Sequence, residues 1–214
     1  MIYYYIVDTE TTGMKTGYHE INQISVLRMT DGTQVSAKIA VDFPNRANPV
    51  SLDIQGITKE DLLVGENKKD ALNKIHDFIN EDGSSAEHRC MVAHNASFDK
   101  RFCHIEWEGA GLVFPAHLWL CTKTLSRKFI KARSLEARVA SAQGEPKVRY
   151  GLEPLLKGLG LPIKTGAHDA EVDTVNCKTL FDECKQGTEY VSCIKREPHK
   201  EEKKPKDELD VSDF

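Results

Sequence analysis

Hydrophobic positions change their period several times along the chain. Ile2–Val7 (IYYYIV) is an unbroken aromatic and β-branched run, which predicts a strand buried on both faces. Ile21–Met29 predicts a second strand, followed by a turn at Asp31-Gly32. Gln34–Phe43 alternates with period two and predicts an antiparallel return, completing a three-stranded meander. A loop marked by Pro44 and Pro49 comes next, then Thr58 as an N-cap with Asp61 three residues on. Ala71, Leu72, Ile75, Phe78 and Ile79 recur at helical spacing and predict an amphipathic helix over Lys68–Asn80. Cys90–Ala93 and Leu118–Cys121 are short apolar runs that predict strands. Between them a helix starts near Ala96, with Phe98, Phe102 and Ile105 on one face. Leu125–Tyr150 is less regular. Tyr150–Leu159 predicts a leucine-rich helix stopped by Gly160 and Pro162. A last helix, from about Ala167 to Lys185, turns Val172, Val175, Leu180 and Phe181 inward. The expected class is α/β: a mixed five-stranded sheet, the meander plus two parallel strands, flanked by helices. Sites in such sheets gather at strand ends and helix starts.

After Gln186 the composition changes. KREPHKEEKKPKDELDVSDF is almost wholly charged, so residues 1–186 are expected to fold as one domain and 187–214 to form a disordered tail. That tail is either a solubilising appendage or a peptide that docks Leu209, Val211 and Phe214 on a partner such as a replication protein. The net charge of −4 gives no global sign of nucleic-acid affinity, so any such site must be local. From Lys123 to Arg149 there are eight basic residues against two acidic ones. Lys128, Lys131 and Arg133 within that stretch either track a nucleic-acid backbone or form a solvated helix face. The six cysteines make no C-x-x-C pair and read as reduced thiols, with no zinc site expected. No leader pattern or long apolar segment is visible, so a cytoplasmic protein without membrane contact is expected.

The candidate chemistry begins where the first strand ends. In Asp8-Thr9-Glu10 the two acids share one side of an extended chain and Thr9 takes the other. Like charges so placed repel, and a divalent cation with hard oxygen ligands relieves that repulsion. The alternative is a solvated acidic turn. Asp99, in VAHNASFD, falls on the first turn of the helix after a strand. Asp173, in HDAEVD, opens the last helix, with His168 at its loose leading end. Each of these alone is also an ordinary polar helix start.

In order, DTETTG, HNASFD and H-x-A-x-x-D resemble the DnaQ-like 3′–5′ exonucleases of the DEDD group with histidine as fifth residue. SLDIQGITKEDL and WLCTKTLSRK are similar to further segments of that family, and VAHNASFDKR is close to its exonuclease X branch. The resemblance spans roughly Ile2 to Lys185. Gln55 departs from it, standing where relatives often have His before Gly-Ile-Thr. The resemblance implies an RNase H-like fold and hydrolysis of a phosphodiester at a 3′ end of DNA, single-stranded by preference, releasing nucleoside 5′-monophosphates. It implies two Mg2+ or Mn2+ ions roughly 3.5–4 Å apart that activate water and stabilise the leaving oxygen. Asp8, Glu10, Asp99 and Asp173 are the implied ligands. His168 is the implied general base, since an unperturbed histidine titrates near neutrality. Around the terminal nucleotide it implies Thr9, Thr11, Thr12, Met14, Asn95 and Phe98. Phe98 is equally explained by core packing, and Met14 by a loop covering the core. RNA 3′-end trimming is the rival within the enzyme class, because nothing identified here reads the 2′-hydroxyl. A non-catalytic or proofreading module bound to a polymerase through the tail is the rival outside it. A homodimer is compatible with the sequence but not specified by it.

Overall fold

The computed structural model describes residues 1–166, 168–186 and 188–197. A six-stranded mixed sheet forms its centre. Its strands are β1 (Tyr3–Thr11), β2 (Ile21–Arg28), β3 (Gln34–Lys38), β4 (Arg89–Ala93), β5 (Leu118–Cys121) and β6 (Ile194–Arg196), in the order β3-β2-β1-β4-β5-β6. β1, β2 and β3 are the expected antiparallel meander, whereas β4 and β5 run parallel to β1. The helices are α1 (Pro49–Gln55), α2 (Lys68–Asn80), α3 (Ser97–Gly109), α4 (Thr122–Ala132), α5 (Glu136–Gln143), α6 (Leu152–Leu159) and α7 (Ala170–Cys184). No helix among the described residues is long and apolar enough to cross a membrane.

The sheet separates two cores. On one face Tyr5, Val7 and Met91 pack with Leu72, Ile75 and Phe78 of α2 and Phe102 and Trp107 of α3. On the other, Ile6, Val92 and Leu120 pack with Phe129 of α4, Leu155 of α6 and Phe181 of α7. Every residue of β4 is buried, as an apolar run in a central parallel strand requires.

Several elements differ from the sequence-based expectation. β1 runs on to Thr11, because pairing with β2 continues through Asp8 and Glu10. β3 stops at Lys38, where the chain bridges instead from Ile39 to Glu66. The segment read as a proline-marked loop contains α1. Asn48 caps it through a bond from the Val50 amide (2.9 Å), Pro49 occupies its first turn, and Gly56 closes it with φ 66°. Proline here starts a helix rather than breaking one. The reciprocal cap at Thr58 and Asp61 forms as expected, but only a 3-10 turn, Asp61–Leu63, follows. Ile105 is 45% exposed, so α3 turns inward through Phe102, Cys103 and Trp107 instead. The irregular stretch after Leu125 resolves into α4 and α5.

The largest difference lies beyond Gln186. Thr188–Cys193 forms a 3-10 helix, and β6 adds antiparallel to β5 as a sixth strand. An edge strand needs backbone bonds and one apolar anchor. Cys193 and Ile194 supply the anchor, while Lys195 and Arg196 face water. Glu197 then pairs with Lys100 at 2.7 Å. The expected disorder of 187–214 therefore does not hold for 188–197. Residues 198–214, with Leu209, Val211 and Phe214, lie outside the described residues.

A buried ionic cluster ties the meander to β4. Arg89, 2% exposed, donates to Asp82 (2.7 Å) and to the Pro115 carbonyl (3.1 Å), and the Tyr5 hydroxyl donates to Asp82 (2.7 Å). Burial alone would raise the Asp82 carboxyl, but the Arg89 guanidinium and the Ser84 amide outweigh it and hold it at about 2. Arg89→Met, which strands a buried carboxylate, is expected to cost about 3–5 kcal/mol in urea unfolding. A depressed carboxyl stabilises above its unfolded pKa, so about 2 kcal/mol of wild-type stability should disappear as pH falls from about 4 to 2. Unfolding free energies measured across that window should show this step in the wild type and lose most of it in Arg89→Met.

Candidate active site

Alternation along β1 sorts its side chains. Tyr5 and Val7 enter the core beneath α2 and α3, and Ile6 enters the opposite core beside α7. Continued two residues at a time, this places Asp8 and Glu10 on the α7 side and Thr9 on the α3 side. The Thr9 hydroxyl donates to Asp99 Oδ1 at 3.0 Å. Asp99 lies in the first turn of α3 and is 3% exposed. The chain reaches it from β4 through Asn95, whose backbone is left-handed at φ 71°, a conformation asparagine tolerates better than most residues.

Asp173 sits in the first turn of α7. His168 precedes that helix with φ 62°, and its own amide donates to Asp173 Oδ2 at 3.0 Å. The expectation of a histidine outside the helix but beside Asp173 is met. One ligand atom each from Glu10, His168 and Asp173 lie within 4.8 Å of one another. Glu10 and Asp173 are half-buried and His168 is exposed.

The electrostatics are those of crowded acids. Burial raises the Asp8 carboxyl well above its usual range, and the charges of Asp99, Glu10, Asp173 and Asp169 raise it further. Glu10 is pushed up to about 8 by burial and then by Asp173, Asp99 and Asp169. Burial also raises Asp99, against the bond from Thr9, and raises Asp173, against the His168 amide and imidazole. Four oxygen-donor side chains that repel one another at one point fit a hard divalent cation.

The remaining expected contacts fall into different settings. Thr11 and Thr12 are buried and serve the loop after β1: the Thr11 hydroxyl donates to the Gly13 carbonyl (2.8 Å), and that of Thr12 accepts from the Glu20 amide (3.0 Å). Met14 is 69% exposed on the same loop. Phe98 is half-buried against Phe102, with ring centroids 4.9 Å apart, and joins the core. Asn95 is exposed. Lys128, Lys131 and Arg133 are exposed along the second half of α4 and just past it. Lys128 donates to Ser192 (3.0 Å), and the Arg133 guanidinium covers Phe129 at 4.0 Å. The structure brings the ligand atoms of Glu10, His168 and Asp173 together, with Asp8 and Asp99 near enough to feel the charges of the other acids, and puts the three cations on the exposed face of α4 and just past it.

Three polar residues brace the site, and no role for them was readable in the motifs around them. Gln23 of β2 donates to Asp169 Oδ1 (3.2 Å) and accepts from the Ala170 amide (3.4 Å), gripping the loop that carries His168. His94 spans Thr122 Oγ1 and the Tyr150 carbonyl, both at 3.0 Å; burial pushes it down to about 4, so it is a neutral strut between β4 and α4. Gln55, the departure noted above, donates to the Thr11 carbonyl (2.9 Å) and accepts from Asn22 (2.7 Å). A groove of about 490 Å³ lies beside these residues, lined by Asn22, Gln23, Gln55, His168 and Asp169 among others. An alternating strand and a lone glutamine carry no signal for such pairings in one dimension.

The family model described as RNase_T: Exonuclease matches residues 5–181. The chain is 30% identical over 175 residues to the DNA polymerase III subunit epsilon of Treponema pallidum, covering 81% of this chain and 72% of that protein. It is 26% identical over 164 residues to the PolC-type DNA polymerase III of Streptococcus suis, which covers 75% of this chain but only 10% of that protein. The chain thus spans about a tenth of the PolC-type relative's length. Among solved structures, E. coli exonuclease I in complex with a dA16 oligonucleotide superimposes with a TM-score of 0.69 at 16% identity, over 86% of this chain and 40% of that one. At that identity the likeness shows the fold.

Removing the Gln23 grip should loosen the loop. In Gln23→Ala, hydrogen exchange at the Ala170 amide is expected to quicken about five- to tenfold, the loss of one ordinary hydrogen bond. Unchanged protection in NMR-detected exchange would show that the loop holds itself.

Proposed function

Because the chain belongs to the RNase_T exonuclease family, we propose that it is a metal-dependent 3′–5′ exonuclease acting on DNA ends, single strands preferred, and releasing nucleoside 5′-monophosphates. The observation that carries this is the meeting of Glu10, Asp173 and the exposed His168 within 4.8 Å of one another, beside the buried Asp8 and Asp99 whose charges act on the same acids. Within the family, the wording of VAHNASFDKR favours the exonuclease X branch.

In this reading the four carboxylates hold two divalent ions, Mg2+ or Mn2+. Bound there, such ions neutralise the anionic phosphodiester and make water a better nucleophile. The protein's own part is to keep the acids fixed against their repulsion. β1 holds Asp8 and Glu10 in register, and Thr9 fixes the Asp99 carboxylate by its hydroxyl. His168 takes the proton of the attacking water. Its exposure gives that proton a route to solvent, and Asp173, bonded to its amide, orients it. Met14, at the open rim of the loop after β1, and Asn95, at the start of α3, border the terminal nucleotide. Lys128, Lys131 and Arg133 are the candidate contacts to more distant phosphates.

The deciding experiment is digestion of matched, end-labelled single-stranded DNA and RNA with Mg2+, Mn2+ or EDTA. Metal-dependent laddering from the 3′ end, absent in Asp8→Ala, is expected, with DNA the faster substrate. Binding without cleavage of either strand would reduce the chain to a binding module. For the base, His168→Gln is expected to lower kcat by about 10²–10⁴ while Mn2+ affinity in calorimetry stays within about twofold. Full turnover would remove His168 from the proton transfer, and a large loss of Mn2+ affinity would place it among the ligands.

A further inference from the structure

The loop after β1 does more than end the strand. Two residues past Glu10 it is tied down on both sides: the Thr12 amide donates to the Glu20 carbonyl (2.9 Å), and the Asn48 amide to the Thr12 carbonyl (2.7 Å). Gly13 packs so closely on His19 that a Cβ there would sit 2.5 Å from the imidazole Nε2. His19 in turn accepts from the Lys15 amide (2.9 Å) and holds the Tyr18 ring edge-on, centroids 5.0 Å apart. Glu20, 6% exposed and ion-paired with Lys68, accepts from the Asp42 and Phe43 amides at 3.0 and 2.8 Å. One buried carboxylate therefore holds the Phe43 segment against the end of the Tyr18 loop.

The result is an exposed array of alternating aromatic and cationic groups. Tyr18 is 43% exposed and Phe43 49%. The Arg46 guanidinium lies 3.8 Å from the Phe43 ring centroid and 5.2 Å from that of Tyr18, and Lys15 Nζ lies 5.2 Å from the Tyr18 ring. A hydrophobic core would gain from burying these rings, and here both stay half open beside cations. Nucleic-acid strands offer the complementary surface: flat bases for open ring faces and phosphates for guanidinium and ammonium groups. Four residues, Thr11, Thr12, Gly13 and Met14, join Glu10 of the acid cluster to Lys15 of the array, and they are held by bonds to both backbone groups of Thr12 and to the carbonyls of Thr11 and Gly13.

We propose that Tyr18, Phe43 and Arg46, with Lys15 at their edge, form a stacking platform for unpaired bases of a single strand whose 3′ end lies at the acids. This rests on the exonuclease reading above and adds where the strand approaches. Such a platform explains a preference for single strands without base-specific contacts, because a paired base cannot leave its stack to lie on Phe43.

The test is binding of fluorescein-labelled dT12 to the full chain in EDTA, followed by anisotropy, alongside a dT12 in which the bases near the 3′ end are abasic. Base–aromatic stacking lost to alanine weakens binding by about five- to a hundredfold per base. Tyr18→Ala and Phe43→Ala are therefore each expected to raise the Kd for dT12 at least fivefold, while Tyr18→Phe stays within twofold. The wild type should bind the abasic strand about as weakly as the double variant Tyr18→Ala/Phe43→Ala binds dT12, and that double variant should no longer distinguish the two strands. Thermal unfolding confirms that each variant is folded. If folded alanine variants bind dT12 within twofold of the wild type, or if only Arg46→Gln matters and base removal does not, the platform is overturned. Cleavage by the wild type in that same case leaves the exonuclease reading standing. If the wild type binds but cleaves nothing, the exonuclease reading falls and the platform is judged by the abasic comparison alone.

Discussion

Carboxylates that raise one another's pKa do not assemble unaided, so at the end of β1 the fold must hold them against their own repulsion. It does so by placing each on a separate rigid element. Asp8 and Glu10 ride on β1 where it pairs with β2, Asp99 on the first turn of α3, and Asp173 on the first turn of α7. The two helices lie on opposite faces of the sheet. They meet at the carboxyl end of β1, where Thr9 reaches one and the acids face the other. A helix N-terminus is also the favourable end for a negative charge, which eases the cost of placing acids there.

The supports are arranged around that point. At the opposite end of β1 and β4, the buried Arg89–Asp82 ion pair, with the Tyr5 hydroxyl donating to Asp82, locks the strands. Near the acids, Glu20 and Lys68 organise the loops on one side, Gln23 braces the loop that leads into α7, and His94 ties the loop that leads into α6 to the start of α4. These are polar devices at the margins of two apolar cores. Their directionality suits them to fixing loops, which a non-directional hydrophobic contact does poorly. His168 shows why this is needed. A non-glycine residue in a left-handed conformation persists where its neighbours over-determine it, and here the Asp173 bond and the Gln23 grip do so.

Legibility in the sequence followed the range of the interaction. β1, β2, β4, β5 and α2 are runs whose period is written locally, and their positions were readable to within a few residues. The five acid and histidine positions stand out as candidates because each occupies a strand end or helix start with its neighbours in a motif. α1 is hidden in the sequence although its asparagine cap, proline and closing glycine are all present, because a proline reads equally as a helix breaker and as a first-turn residue. β6 is hidden for a different reason. Its charged residues look disordered by composition, and only the open edge of β5 gives them a partner.

The amino-acid sequence by itself determined the α/β class, the meander and the family, and marked the acids and their histidine as candidates, since periodicity and short motifs are properties of adjacent residues. Tertiary structure alone decided the rest. It decided that Thr9 fixes Asp99, that Gln23 grips the His168 loop, that Gln55 holds the Thr11 carbonyl, and that Arg46 stacks on Phe43 beside Tyr18. Those contacts join residues up to 146 positions apart, and no local pattern encodes which of many similar side chains a folded chain will bring within a hydrogen bond's reach.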